Sequence, residues 1–358
     1  MRSAKELEDE DEDQQMWLRP AGDKEEYFEV GHQLGFFQTN YNLSMCSTKP
    51  LDRTLLTKVL THLFWKVPVL RVCLGRRKGQ LWLKKMSGCI LDLKVLNEGE
   101  LEKERDRLLT CTFNTDEGPM WCMSVVPEQP QQSSHHHCQP QESSHHHCQP
   151  QQSSHYHYNL LFGTHHTIAD GFTNIRICHM LHEILNDVLT GRTVDDKEQL
   201  DQHLDDHLSK QLYEEKKVSK DFVDTFWPHV KSFHQDLHHK LRTGGPMQAV
   251  ALRLMHKSKT ENYAEYFRAS GSPNYYYAIS NLGDVTSLMP GEGEVVKVKS
   301  LNRVSSIRAN ATIMCFFVQT YKGICSISLV YSSRYMDQHI ATKLLHQMKT
   351  ILTQVCSM

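Results

Sequence analysis

Between Tyr156 and Leu189 the apolar residues change period, and that change constrains the fold more than any other feature of the chain. "YNLLFG" is a short unbroken apolar run of the kind found in a buried strand. Ile175, Cys178, Met180, Leu181, Ile184, Leu185, Val188 and Leu189 then recur at helical spacing, with Gly191 past the end as a natural C-terminal stop. A strand running into an amphipathic helix requires a sheet to hold the strand and a helix layer to cover it. The corner between them, "THHTIADG", is polar and lies where side chains project from a rigid frame into a cleft.

The rest of the chain repeats this alternation. Leu55, Leu56, Val59, Leu60, Leu63 and Phe64 predict a helix from Asp52, its N-cap, to Trp65, with Pro68 beyond it. "PVLRVCLGRRKGQLWLKKM" reads as two strands around a basic turn, and further strands are predicted at Met120 to Val126 and Tyr156 to Gly163. Residues 192–220 are polar, with a thin stripe of Leu200, Leu204, Leu208 and Leu212. Phe222, Phe226, Val230, Phe233, Leu237 and Leu241 predict another helix, ending at Gly244-Gly245. The tail carries the strand patterns "YYYAISNLG" and "GEVVKVKSL", then a hairpin turning at Lys322-Gly323. A final helix from Asp337 to Val355 turns Ile340, Leu344, Leu345, Met348, Ile351, Leu352 and Val355 inward. Interleaved helices and hairpins predict a mixed α/β (α+β two-layer) architecture rather than a doubly wound parallel sheet. The glycines of "GEGEVV" precede a strand and lack the dinucleotide fingerprint.

Composition narrows the function. The formal net charge of −2 over 358 residues gives no basic field for nucleic acid. No run approaches the roughly 20 apolar residues of a membrane span, and "MRSAKELEDEDEDQQMW" is acidic where a secretory signal is apolar. The expectation is a cytoplasmic protein with a disordered acidic tail over residues 1–15. Eleven cysteines without a C-x-x-C pair suit reduced thiols. Three copies of a ten-residue unit, "QPQQSSHHHC", "QPQESSHHHC" and "QPQQSSHYHY", fill a low-complexity loop at 129–155 that has little to bury. Its histidines with Cys138 and Cys148 leave a His-rich metal-binding protein as one alternative.

At the corner itself, a shielded histidine with a pKa near neutrality acts as a general base toward a hydroxyl or amine. A nearby carboxylate can orient the ring or hold the loop, and Gly171 leaves room for close approach. Metal ligation by His165, His166 and Asp170 is the competing reading, although adjacent strand residues point to opposite faces. Two histidines satisfied within a bland corner is another. A serine hydrolase lacks its G-x-S-x-G elbow here.

The order of these features resembles the CoA-dependent acyltransferase superfamily, which includes chloramphenicol acetyltransferase, the plant acyltransferases, condensation domains and, most similar, the alcohol acetyltransferases. His165, His166, Asp170 and Gly171 match its H-H-x-x-x-D-G motif. "KVPVLRVCL", "EGPMWCMSVV" and "YYYAISNLGDV" are similar to flanking family segments, so the likeness runs from about residue 30 to the end. The resemblance implies two chloramphenicol acetyltransferase-like halves, 16–190 and 221–358, joined by a polar linker at 191–220. It implies acyl transfer from acyl-CoA, as co-substrate, to a small-molecule alcohol or amine, in a monomer without a permanent cofactor or metal. His166 would be the general base, His165 its support, and Asp170 a structural residue paired with an arginine. CoA-binding residues are not identified. Roughly a hundred residues of the family's crossover are missing after Gly171, more than loop variation explains, so the second half is expected to be reduced. A non-catalytic binding module of the same fold is therefore a further alternative.

Overall fold

The computed structural model describes residues 16–128, 155–195, 197–198, 228, 231–232, 235, 239, 263–268, 275–307 and 312–356. The histidine repeat, the acidic tail and nearly all of the 192–220 and 222–241 expectations lie outside them. The chain divides into two compact units. The first takes the chain up to Gln202 with Asn281–Ser306 and Phe317–Ser328; the second takes His203–Ser280, Ile307–Phe316 and Leu329–Met358.

The first unit opens with strand β1 (Trp17–Pro20) and helix α1 (Asp23–Gln33). Strand β2 (Gln38–Ser47) follows, then helix α2 (Arg53–Lys66), whose N-cap is Asp52 as expected, its carboxylate accepting the Leu55 N–H at 2.8 Å. Strands β3 (Val72–Arg77) and β4 (Gln80–Lys85) are the two predicted around the basic turn. After them come β5 (Leu93–Val95), helix α3 (Leu101–Thr110), β6 (Trp121–Glu128), β7 (Tyr156–His165) and helix α4 (Gly171–Thr190). Gly191 ends α4 in the left-handed region at φ 74°, where a side chain would be strained.

A five-stranded sheet in the order β5-β6-β7-β2-β9 is the frame of the first unit, with β9 (Val296–Ser305) brought in from late sequence. Only β5 and β6 run parallel; the other neighbours are antiparallel, which makes the sheet mixed. Register places Tyr41, Phe162 and Met123 in one row and Leu43, Leu160 and Val125 in another on the same face. Together with Leu56, Leu60 and Leu63 of α2 and Ile175, Cys178, Leu181 and Leu185 of α4, they form the main core. Each such side chain contributes about 1.5–3 kcal/mol of burial. Trp121, fully buried, satisfies its one donor by giving its indole N–H to the Leu70 carbonyl at 3.0 Å. On the opposite face Leu108 of α3 packs with Cys122, Val126 and Leu161. A three-stranded sheet in the order β1-β4-β3 adjoins in sequence.

Further along the chain lie a short helix α5 (Tyr263–Arg268) and strands β8 (Tyr275–Asp284), β10 (Thr312–Tyr321) and β11 (Ile324–Tyr331), followed by helix α6 (Gln338–Cys356). The three strands form a sheet in the order β11-β10-β8. The β10–β11 hairpin turns at Lys322 and Gly323, both at positive φ, as its sequence predicts. Helix α6 forms where expected, but its apolar face is only partly covered: Leu344, Leu345 and Met348 are half-buried, whereas Ile340 is 50% exposed and Ile351 and Leu352 are each 38% exposed. Among the described residues no helix is long and apolar enough to cross a membrane.

Candidate active site

The four residues of the corner motif are set by the junction of β7 and α4, inside the first unit. His165 is the last residue of β7, opposite Gln38 of β2, and Gly171 is the first of α4. Asp170 caps that helix, its Oδ1 accepting the Thr173 N–H at 2.8 Å. The cap places a carboxylate against the positive end of the helix dipole, which holds both in place. Tyr41 of β2, fully buried, donates its hydroxyl to the Gly171 carbonyl at 3.1 Å. A Cβ on Gly171 would stand 2.9 Å from Leu282 Cδ2 and 3.3 Å from Arg303 Nη1, so a side chain there would push into both.

His165 and His166 face different surroundings, as alternation along a strand requires. His165 is completely buried. Its Nδ1 accepts the Thr167 N–H at 3.0 Å, and its Nε2 lies 3.1 Å from Glu29 Oε2. The ring of His32 stands beside it, 4.2 Å between centroids. His166 is partly exposed, with Nδ1 enclosed. Its ring stacks on Phe28, 4.2 Å away and within 3° of parallel, and meets the edge of Phe37 at 6.5 Å. Phe37 holds this place at φ 66°, a strained conformation for an aromatic residue.

Enclosure pushes the His166 pKa down to about 4. Its own main-chain carbonyl and Asp170 pull the other way, and His165 and Arg303 add to the lowering. The sequence-based expectation of a pKa near neutrality is corrected accordingly: loss of water disfavours the imidazolium. At neutral pH the ring is a neutral base. Glu29 is held below the usual carboxylate range, its burial outweighed by His165 and by hydrogen bonds from Gln33 and Thr115. His32 is driven by burial to about 3.

Helix α1 supplies Phe28, Glu29 and His32, none of which the sequence pattern singled out. "DKEEYFEVGHQ" contains Phe28 and His32 four residues apart, a spacing that puts both on one helix face, but nothing local says that this face meets the corner. Arg303 of β9 was equally hidden, 132 residues beyond Gly171 in sequence and 8% exposed. No group of three or more His, Cys, Asp or Glu able to hold a metal occurs among the described residues.

No protein-family profile matches the chain, and no curated protein matches it. Solved structures do. Trichothecene 15-O-acetyltransferase from Fusarium sporotrichioides superposes with a TM-score of 0.61 at 9% identity, over 92% of this chain and 93% of that one. The condensation domain of the monacolin K polyketide synthase gives 0.54 at 9% identity, over 94% and 96%. The first condensation domain of the calcium-dependent antibiotic synthetase is matched over 50% of this chain and 42% of that one, with a TM-score of 0.38. The chain thus spans under half of that domain. The fold is the α/β fold that condensation domains and O-acetyltransferases share, as expected from the corner motif and its flanking segments.

Proposed function

We propose that the protein transfers an acyl group from acyl-CoA to a small-molecule alcohol or amine, with His166 as general base. One observation carries this: His166, neutral at physiological pH, stacks on Phe28 with the edge of Phe37 nearby, immediately after β7, in a fold shared with an acetyltransferase. A neutral imidazole accepts the acceptor's O–H or N–H proton as its oxygen or nitrogen attacks the thioester carbonyl. The tetrahedral intermediate then collapses, expelling the CoA thiolate, which takes up that proton. No covalent enzyme intermediate is needed. Asp170 is structural, capping α4. Arg303 lies beside Gly171, and its charge reaches both His166 and Tyr41. This reading takes the protein as a cytoplasmic monomer with no permanent cofactor.

The test is free-thiol release when purified protein is incubated with acetyl-CoA and a panel of alcohols and amines. Release above the buffer rate, lost on replacing His166, supports acyl transfer. CoA binding without release identifies a non-catalytic binding module instead.

A further inference from the structure

We infer that Glu29 is a positioning residue of this site, fixing the tautomer of His165 and through it the turn that carries His166. The inference rests on the acyl-transfer reading for its kinetic consequence and on geometry alone for the rest.

The geometry is restrictive. His165 Nδ1 accepts the main-chain N–H of Thr167 at 3.0 Å, so that nitrogen carries no proton. A neutral imidazole then bears its proton on Nε2, and Nε2 faces Glu29 Oε2 at 3.1 Å. Both atoms are fully enclosed, and among the described residues neither makes a well-aligned hydrogen bond, the other of the pair included. The contact therefore works through charge and proximity more than through alignment. A buried N–H with no acceptor and a buried carboxylate oxygen with no donor are each costly, so each is tolerated because the other is there.

Glu29 is itself held on its far side. Its Oε1 accepts from Gln33 Nε2 at 2.8 Å and from Thr115 Oγ1 at 2.9 Å, which aims Oε2 at His165. The other titratable groups facing this pair are few. His32 has its Nε2 occupied by the Phe113 N–H at 2.9 Å, and its Nδ1 faces the Gln38 amide at 3.5 Å. It stays neutral and does not compete for the Glu29 charge. Asp170 and Arg303 act on His166 rather than on Glu29. Thr167, whose N–H the tautomer secures, is further tied by its hydroxyl to the Glu25 carbonyl at 3.3 Å, one turn before Glu29 on α1. The turn from His165 to Asp170 is thus fastened to α1 at two points. The same helix carries Phe28, against which His166 stacks.

Two measurements test this on the full-length protein. The first is the ring ¹⁵N spectrum of histidine-labelled protein at pH 7, with His165 assigned by loss of its signals in His165→Gln. The expected pattern is a protonated Nε2 and an unprotonated Nδ1 in the native chain, and a mixture of tautomers in Glu29→Gln. The glutamine keeps the shape, but its one oxygen cannot serve His165 and the Gln33 and Thr115 donors together. The second is the pH dependence of thiol release. Glu29→Gln is expected to lower kcat about ten- to a hundredfold with little change in KM, as small misplacements of a reacting group do. It should also raise the acid limb of the profile toward the ordinary histidine range, because a loosened turn lets water reach His166. A mere loss of stability would leave that limb where it is. Should Glu29→Gln fail to fold, Thr115→Val removes one of the bonds that aim the carboxylate and should move both readouts less far in the same direction. An Nδ1-protonated or doubly protonated His165 in the native chain, or a variant that keeps the native tautomer and kcat, overturns the inference. Absence of thiol release from the native chain would overturn the acyl-transfer reading alone, since the ¹⁵N spectrum judges Glu29 without it.

Discussion

His165 and His166 are neighbours in sequence, and their surroundings separate the roles proposed for them. His165 is closed off from any substrate and spends both ring nitrogens on the protein, whereas His166 keeps some exposure and has aromatic rather than polar partners. Replacing His166 with alanine should lower thiol release by about 10²- to 10⁴-fold while leaving the melting temperature close to native, since loss of a general base costs that much. Turnover within a few-fold of native would remove His166 from the role. His165→Ala should behave differently. It strands the Thr167 N–H and the Glu29 carboxylate, so it should destabilise by about 1–3 kcal/mol in denaturant titration and reduce activity less than His166→Ala does. A larger activity loss at His165 than at His166 would exchange the two assignments. Among these residues the motif positions could be read from sequence, because H-H-x-x-x-D-G is contiguous. Glu29, His32, Tyr41 and Arg303 could not, since only tertiary pairing of α1, β2 and β9 with the corner brings them there.

At the scale of elements, the strongly periodic helices and the apolar run of β7 were legible, whereas the largely polar and charged helices α1 and α3 were not. Helices α2, α4 and α6 announced themselves through period, Asp52 and Gly191 through cap chemistry, and the β10–β11 turn through Lys322-Gly323. Strand β2 does carry the period of a strand, Tyr41, Leu43 and Met45 alternating with Asn40, Asn42 and Ser44, but that pattern marks a strand with one wet face, whereas β2 is central and almost wholly buried on both. Its polar side chains find partners that sequence does not show, such as Thr39 with Ser305 at 3.1 Å. The join between α4 and β9 has the same character. Asn186, 4% exposed, accepts the N–H groups of Val295 and Val296 at 3.0 and 2.9 Å and donates to the Val296 carbonyl at 3.1 Å. One side chain thus satisfies the start of an incoming strand. Asn186→Ala should leave two buried N–H groups unpaired and destabilise by about 2–4 kcal/mol, seen as a lower denaturant midpoint at unchanged slope. A loss under about 0.5 kcal/mol would mean that the strand is held by its ladder with β2 alone. The β6–β7 hairpin supports another expectation. Glu128 stands directly opposite His157, so the strand tips are already neighbours. Replacing 129–154 with Asn-Gly, which leaves a four-residue loop between Glu128 and His157, should leave thiol release intact and be neutral or stabilising by up to about 1.5 kcal/mol, because a shorter loop costs less entropy to close. Unfolding of that variant would show that the repeat is part of the structure.

Over the whole molecule, the buried histidines make stability depend on pH in a direction that can be worked out in advance. His32 and His166 have folded-state pKa values of about 3 and about 4, both below the ordinary value of 6.5, and His182 is lowered as well by burial. Each is therefore neutral when folded under conditions where the unfolded chain binds a proton. The unfolded state gains protons first, so stability is complete above about pH 6.5 and falls as pH drops toward the folded values. Each group contributes a slope of up to about 1.4 kcal/mol per pH unit within its window. Glu29 adds a second, more acidic component with the carboxylate sign: its folded pKa is depressed, so its contribution is present above 4.5 and lost below. Urea midpoints measured from pH 7.5 to 4.5 should therefore decline steadily, beginning near 6.5, before any carboxylate titrates. In His32→Asn the decline should be shallower, because Asn keeps a polar side chain near Phe113 and Gln38 without a proton to bind. A profile flat down to pH 5 in the native chain would mean that these rings are hydrated and protonate freely when folded, and the low-pKa base assigned to His166 would go with it.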